Sequence, residues 1–292
     1  MIYDFSFVLV VLTVVFGLVL LWWRLTGRKA THAAAVAATP EGAAPKPEPW
    51  PVEYASAFFP VVVGVLILRA FLFEPFRIPS DSMMPTLLDG DFILVNKFTY
   101  GLRLPVVNHE FVKIGDPERG DVIVFRHPAD RSVTYIKRLV GLPGDHIQVR
   151  GDAIWVNGQA INIRATGEYT EDECYLGFRQ AEETIGKRTH RLMYCPVYVR
   201  RPGKCGESRE YAECPVYPAG ADAGLLSPVG PEVDYDSVVP AGMLFFMGDN
   251  RDNSEDSRRS LGFVPRENVV GRAVGIWFVL NGQWGRIGQG VN

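Results

Sequence analysis

The chain has no surplus of basic residues: 30 Lys and Arg stand against 33 Asp and Glu, for a formal net charge of −3. A nucleic-acid partner usually announces itself as a basic excess, so none is expected. No serine sits in a G-x-S-x-G elbow, and His109-Glu110 is not followed by a second histidine at helical spacing. The remaining histidines, His32, His127, His146 and His190, are scattered in polar or turn contexts and support no Ser-His-Asp triad. The four cysteines, Cys174, Cys195, Cys205 and Cys214, include no C-x-x-C pair, which argues against a zinc knuckle. In an oxidising compartment they would form one or two disulfides, and spacing does not choose the pairing. Beyond residue 91 there is no helical periodicity except a single turn near Arg258.

What the chain does have is two long apolar runs. Phe5 to Trp23 reads FSFVLVVLTVVFGLVLLWW without one charge. At 1.5 Å per residue it extends roughly 28 Å, close to the hydrocarbon thickness of a bilayer. Trp22 and Trp23 fall where an interfacial aromatic belt lies. Tyr54 to Phe73 is apolar apart from Arg69, whose head can snorkel to the interface. Pro60 and Gly64 suit a membrane helix better than a soluble one, although a buried core helix is the competing reading. A cleaved signal peptide competes for the first run, because Ala33 to Ala38 imitates a cleavage site. Against it, the run exceeds the usual apolar core of about 7–15 residues, and no Lys or Arg precedes it. Arg24, Arg28 and Lys29 follow at once. The positive-inside rule then places residues 24–53 in the cytoplasm and everything after about residue 74 outside.

The expected organisation is a transmembrane helix at 1–23, a linker rich in Ala, Pro and Thr at 24–53, and a second transmembrane helix at 54–73. A mainly β domain at 74–159 and 239–292 is interrupted by an inserted, loop-rich β subdomain at 160–238 that holds the cysteines. Strands are expected at Asp91–Asn96, Asp121–Phe125, Tyr135–Val140, Gly242–Met247 and Val269–Leu280, brief β-branched and aromatic runs bounded by Gly or Asp. Asp152–Gln159 reads as a strand entering an Asn157-Gly158 hairpin turn.

Three stretches carry candidate chemistry. In Pro79-Ser80-Asp81-Ser82-Met83-Met84-Pro85-Thr86, prolines restrict the backbone on both sides of two hydroxyls. Ser82 is the candidate nucleophile; ordinary turn serines are the plainer reading. Lys137 stands in an otherwise apolar strand, and period-2 alternation puts it on one face with Tyr135 and Leu139, opposite Arg138. Burial lowers a lysine pKa by as much as about 3–5 units, enough for it to serve as a neutral general base. A snorkelling strand lysine is the plainer reading from spacing alone. The loop Met247 to Arg258 is acidic and Asn-rich, but Ser257 and Phe263 stand where an EF-hand starting at Asp252 needs glycine and glutamate. It reads as a solvated loop or as a scaffold of short polar side chains.

Together these stretches resemble bacterial type I signal peptidase, the membrane-bound leader peptidase. The resemblance rests on PSDSMMPTLLDGDFILVNKFTYG, on DVIVF with YIKRLVGLPGD, and on MGDNRDNSEDSR with GFVPRENVVGRA, in the family's order behind two spans. It runs from the end of the second span to residue 159 and again from about 239 to 277. It implies two N-terminal transmembrane helices followed by a mainly β extracytoplasmic domain, a signal-peptidase-like antiparallel fold with a β-rich insertion. By the same resemblance Ser82 would attack the scissile carbonyl and Lys137 would be its base. Ser80 would donate to the oxyanion with the Ser82 N–H, and Ser254 would orient the lysine amine. Asp256 and Arg258 would brace the loop as an ion pair. Phe76, Ile78, Pro79, Leu87, Tyr135 and Ile136 would line shallow pockets for small residues of an extended peptide. The enzyme would act as a monomer on preproteins bearing signal peptides, at membrane lipid, without nucleic acid, metal or cofactor. It would be a multi-pass protein of the bacterial cytoplasmic membrane with its catalytic domain on the outer, periplasmic side.

Asp81 departs from the family's pattern, where glycine is common at this position, and is expected to point to solvent. Two other functions remain open at this point: a processing peptidase dedicated to one secretion or conjugation system, and a membrane-anchored β scaffold whose catalytic residues are idle. A self-cleaving Ser-Lys repressor is disfavoured by the membrane-spanning N-terminus.

Overall fold

The computed structural model describes residues 5–37, 49–103, 110–171, 178–194 and 235–291. All four cysteines, and His109, lie outside the described residues. The chain divides into two compact units, residues 1–73 with 101–113, and residues 74–100 with 114–292.

In the first unit, helix α1 (Phe5–Ala37) and helix α2 (Trp50–Ile67) run antiparallel. Gly17 of α1 backs onto the ring of Phe59, and Arg24 shares a groove with Val52 and Ser56. Helix α1 continues well past Trp23 into the stretch read as linker, since alanines favour helix. Helix α2 opens at Trp50, earlier than the apolar run alone indicates, with Pro51 in the first turn, where a missing N–H costs nothing. It closes in a wide turn, Leu68–Leu72, with i→i+5 bonding. Two stretches, Phe7–Thr26 of 20 residues and Trp50–Leu72 of 23, are long and apolar enough to cross a membrane. Their outward side chains, among them Val14, Leu18, Trp22, Phe58 and Val61, are exposed, as on helices that face lipid.

The strands follow in chain order. They begin with β1 (Phe73–Arg77), β2 (Asp91–Asn96), β3 (Gly101–Arg103), β4 (Glu110–Lys113), β5 (Val122–Arg126) and β6 (Thr134–Gly141). Next come β7 (His146–Arg150), β8 (Ala153–Val156), β9 (Gln159–Ala160), β10 (Asn162–Glu168), β11 (Arg179–Ile185) and β12 (Arg188–Tyr194). The last are β13 (Tyr235–Val238), β14 (Met243–Met247), β15 (Val264–Pro265) and β16 (Val269–Val279). Strands β3 and β4 form a hairpin within the first unit, tied by the Arg103–Glu110 ion pair at 2.9 Å.

The second unit is built on a seven-stranded sheet in the order β1-β2-β16-β5-β6-β14-β15. Register shifts in β16 between Ala273 and Gly275 and between Ile276 and Phe278 curl it, so one long strand serves β2 along one edge and β5 along the other. Apolar cores pack on both faces of β5: Val122 and Val124 join Ile78, Met83, Leu87 and Ile93, while Ile123 and Phe125 join Leu139 and Phe246. A second sheet, β13-β7-β8-β9, turns at Asn157 and Gly158, both with positive φ, as a two-residue hairpin with the right-handed twist of its strands demands. Strand β13 pairs with β7, so the segment counted as insertion rejoins the main β domain at Tyr235. The insertion contributes a three-stranded antiparallel sheet, β10-β11-β12.

Candidate active site

Ser82 and Lys137, 55 residues apart in sequence, meet: Lys137 Nζ lies 2.6 Å from Ser82 Oγ. The sheet explains how. Lys137 pairs across from Ile123 and Arg138 across from Val122, so these adjacent basic residues leave β6 on opposite faces. Lys137 reaches the nucleophile loop, and its amine also donates to the Ile136 carbonyl at 3.1 Å. Arg138 reaches Asp249 through two bonds, Nε–Oδ1 at 2.8 Å and Nη2–Oδ2 at 2.7 Å, and Gly120 O through a third.

The lysine is 3% exposed and the serine 9%. Burial penalises the ammonium and lowers the Lys137 pKa to about 8, against the opposing pull of Asp256, Asp249 and Glu255. About a tenth of the amine is therefore neutral at pH 7. A base within hydrogen-bond reach of a hydroxyl, with its pKa brought toward neutrality, is the arrangement that activates a serine.

The loop between Met247 and Arg258 walls the site. Its Asn250 N–H donates to Ser82 O at 3.1 Å, and Asn250 Nδ2 to Asp81 O at 3.1 Å. Asp249 also accepts from Thr86 Oγ1, which joins the loop to the nucleophile segment a second time. Asp256 and Arg258 form an ion pair, Arg258 Nη2 to Oδ2 at 2.8 Å, and Asp256 accepts from Gly248 N as well. Burial works against ionisation of Asp256, but Arg258 and these bonds outweigh it and hold its pKa low.

Ser80 is exposed at the rim, its Oγ 3.3 Å from Ser82 Oγ. Other expected residues are more enclosed. Ser254 is 2% exposed, and its Oγ has no hydrogen-bond partner among the described residues. Ile78 and Leu87 are 1% and 0% exposed and pack into the core with Met83 and Ile93. Asp81 is half-buried with one carboxylate oxygen shielded from water, not turned out to solvent. The carboxylates that act most on Lys137 are nonetheless Asp256, Asp249 and Glu255. Of the other expected lining residues, Pro79 is exposed, Phe76 and Tyr135 are half-buried and Ile136 is at the buried edge. No cluster of three or more His, Cys, Asp or Glu suited to a metal ion occurs among the described residues.

A family model described as "Signal peptidase, peptidase S26" matches residues 51–278. The chain belongs to the signal peptidase family. It is accordingly a serine endopeptidase, and its two apolar helices suit a membrane protein. It is 43% identical over 240 residues to a signal peptidase I of Pseudomonas fluorescens, covering 79% of this chain and 73% of the relative. Identity to the signal peptidase I of Pseudomonas aeruginosa is 41% with the same coverage. A crystal structure of a signal peptidase I from Enterococcus faecalis aligns at 25% identity and a TM-score of 0.28, over 55% of this chain and 98% of that one. Behind Ser82 and the loop that walls it stand residues that the sequence did not single out: Thr86, Asp249, Asn250, Arg251, Glu183 and His190. The last two stand in a segment without any resemblance to guide their assignment.

Proposed function

We propose that Ser82 and Lys137 are nucleophile and general base in the removal of N-terminal signal peptides from exported preproteins. The observation that carries this reading is the 2.6 Å approach of Lys137 Nζ to Ser82 Oγ in a site almost closed to water. Ser82 Oγ attacks the scissile carbonyl carbon while its proton passes to the neutral amine. The tetrahedral intermediate collapses as the Lys137 ammonium returns that proton to the leaving amine, and Ser82 is left as an ester. Water attacks the ester with Lys137 again accepting a proton; the mature protein departs in the first step and the signal peptide acid in the second. Proton and charge balance close on these two residues, so the scheme calls for neither metal nor cofactor. The Ser80 hydroxyl and Ser82 N–H would receive the oxyanion, one such donor being worth about 3–4 kcal/mol of barrier.

Substrate would bind extended, as an added strand. Thr134 to Lys137 pair with β5, whereas β14 joins β6 only from Arg138 onward, which leaves an edge beside the base among the described residues. Phe76, Pro79, Tyr135 and Ile136 would contact small side chains before the cleaved bond. The protein would act as a monomer in the bacterial cytoplasmic membrane, with the dyad on the outer side, where a preprotein's apolar segment remains in lipid.

The test compares cleavage of a purified preprotein by wild type, Ser82→Ala and Lys137→Ala, each with and without a chelator. Both variants should lose at least about 10³-fold in kcat, and the chelator should change nothing. Near-wild-type turnover by either variant would overturn the assignment.

A further inference from the structure

The inserted sheet has no assigned role, yet one face of it lies against the loop that walls the site. Asp249, Asn250 and Arg251 are held between two partners. On one side Asn250 N–H donates to Ser82 O at 3.1 Å. On the other, Met193 of β12 donates its N–H to Asp249 O and accepts from Arg251 N–H, both at 2.9 Å. The hairpin thus adds a short backbone ladder behind the segment whose opposite face fixes the nucleophile.

Side chains seal this arrangement. Arg251 is 2% exposed; its guanidinium donates to Glu183 Oε2 on β11, and its Nε to Gly248 O at 3.2 Å. Glu183 is 0% exposed, with His190 Nε2 3.1 Å from the same carboxylate and 3.8 Å from Asp249 Oδ1. Burial pushes the Glu183 carboxyl up, but the charge of Arg251 and the nearby His190 outweigh it and hold its pKa at about 2. The carboxylate therefore remains ionised at any working pH. Met193 also packs with Met84 and Leu88, which follow Ser82, and with Tyr169 and Phe178 of the insertion. At the hairpin turn, Arg188 pairs with buried Asp121 at 2.7 Å. A buried carboxylate on a strand that otherwise needs none is costly unless its charge is used. Here it is matched to one arginine of the catalytic loop.

We infer that Glu183 is a positioning residue for peptide cleavage: through Arg251 it fixes residues 248–251, and with them the backbone of Ser82 against Lys137. The insertion is then a clamp on the nucleophile. This rests on the Ser82–Lys137 reading, and the experiment separates the two. Full-length wild type, Glu183→Gln and Glu183→Asp are compared in detergent for kcat and KM on a preprotein, for the acylation rate of Ser82 by a serine-directed reagent, and for thermal midpoint, with Ser82→Ala alongside. Glu183→Gln should lower kcat and acylation by about 100-fold, the scale of an ångström misplacement, while KM stays within about threefold of wild type. Glu183→Asp, which keeps the charge, should recover part of the loss. If Glu183→Gln does not fold, Glu183→Asp carries the test by its own fall in kcat at unchanged KM. A lowered thermal midpoint with wild-type kcat in the folded variant would make the contact purely structural and overturn the inference. Activity retained by Ser82→Ala would instead overturn the dyad itself.

Discussion

A lysine 3% exposed beside a serine carries its charge only at a cost, and under the proposed mechanism that cost sets the pH behaviour of the enzyme. With its pKa lowered to about 8 by desolvation, kcat/KM should fall about tenfold per pH unit on the acid side of pH 8 and level off above it. A limb near 10 would mean an exposed lysine and another base. The same shift bears on stability. Below about pH 8 the native state buries a charge, at a cost of about 3 kcal/mol; between about 8 and the unfolded value of 10.5 the native state sheds its proton first, and stability rises with pH. Lys137→Met should therefore be inactive yet melt a few degrees higher than wild type at pH 7. The gap should close as pH approaches 10.5. Calorimetry across that range checks it, and a gap independent of pH would refute buried ionisation.

At the scale of elements, the loop following β14 is packed too tightly to admit a methyl group. A Cβ on Gly248 would fall 2.1 Å from Ser254 Oγ and 2.5 Å from the Ser82 carbonyl oxygen. Gly248→Ala must push one of them aside, and is expected to cost about 1–3 kcal/mol of stability and most of the activity, read by denaturant titration and preprotein cleavage together. The Arg138–Asp249 pair, each side chain 1% exposed, makes a sharper case. Arg138→Met strands a buried carboxylate and should cost about 3–5 kcal/mol. Much of this architecture could be read from sequence. Strands β2, β5, β6, β14 and β16 are β-branched and aromatic runs punctuated by Gly or Asp, and Asn157-Gly158 is a turn with a mechanism. Strands β11 and β12 could not. Their inward positions include Arg179, Glu183 and His190, so the buried face reads as polar and the period-2 signal vanishes. The site divides in the same way. The approach of Lys137 to Ser82 is foreshadowed by the family resemblance of their motifs, not by spacing, whereas the contacts of Arg251 depend on a long-range pairing that no local pattern encodes.

For the molecule as a whole, the governing feature is that the proposed nucleophile follows closely on an apolar span. The second stretch ends at Leu72, and chain length alone keeps Ser82 within about 36 Å of that end, at no more than about 3.6 Å per residue. A signal peptide held in the bilayer by its own apolar core presents its cleavage site within this short zone. A soluble enzyme would have to find the same bond by diffusion. The proposed function requires the chain to emerge on the side to which preproteins are exported. The charge pattern supports that: Arg24, Arg28 and Lys29 follow the first span, whereas Asp4 is the only side-chain charge before it. In right-side-out membrane vesicles, added protease should degrade the region beyond residue 74 and leave the 24–49 segment intact; in inverted vesicles the pattern should reverse. Cleavage of the linker from outside would invert the topology, and the dyad would then stand on the side where no exported preprotein presents its processed bond.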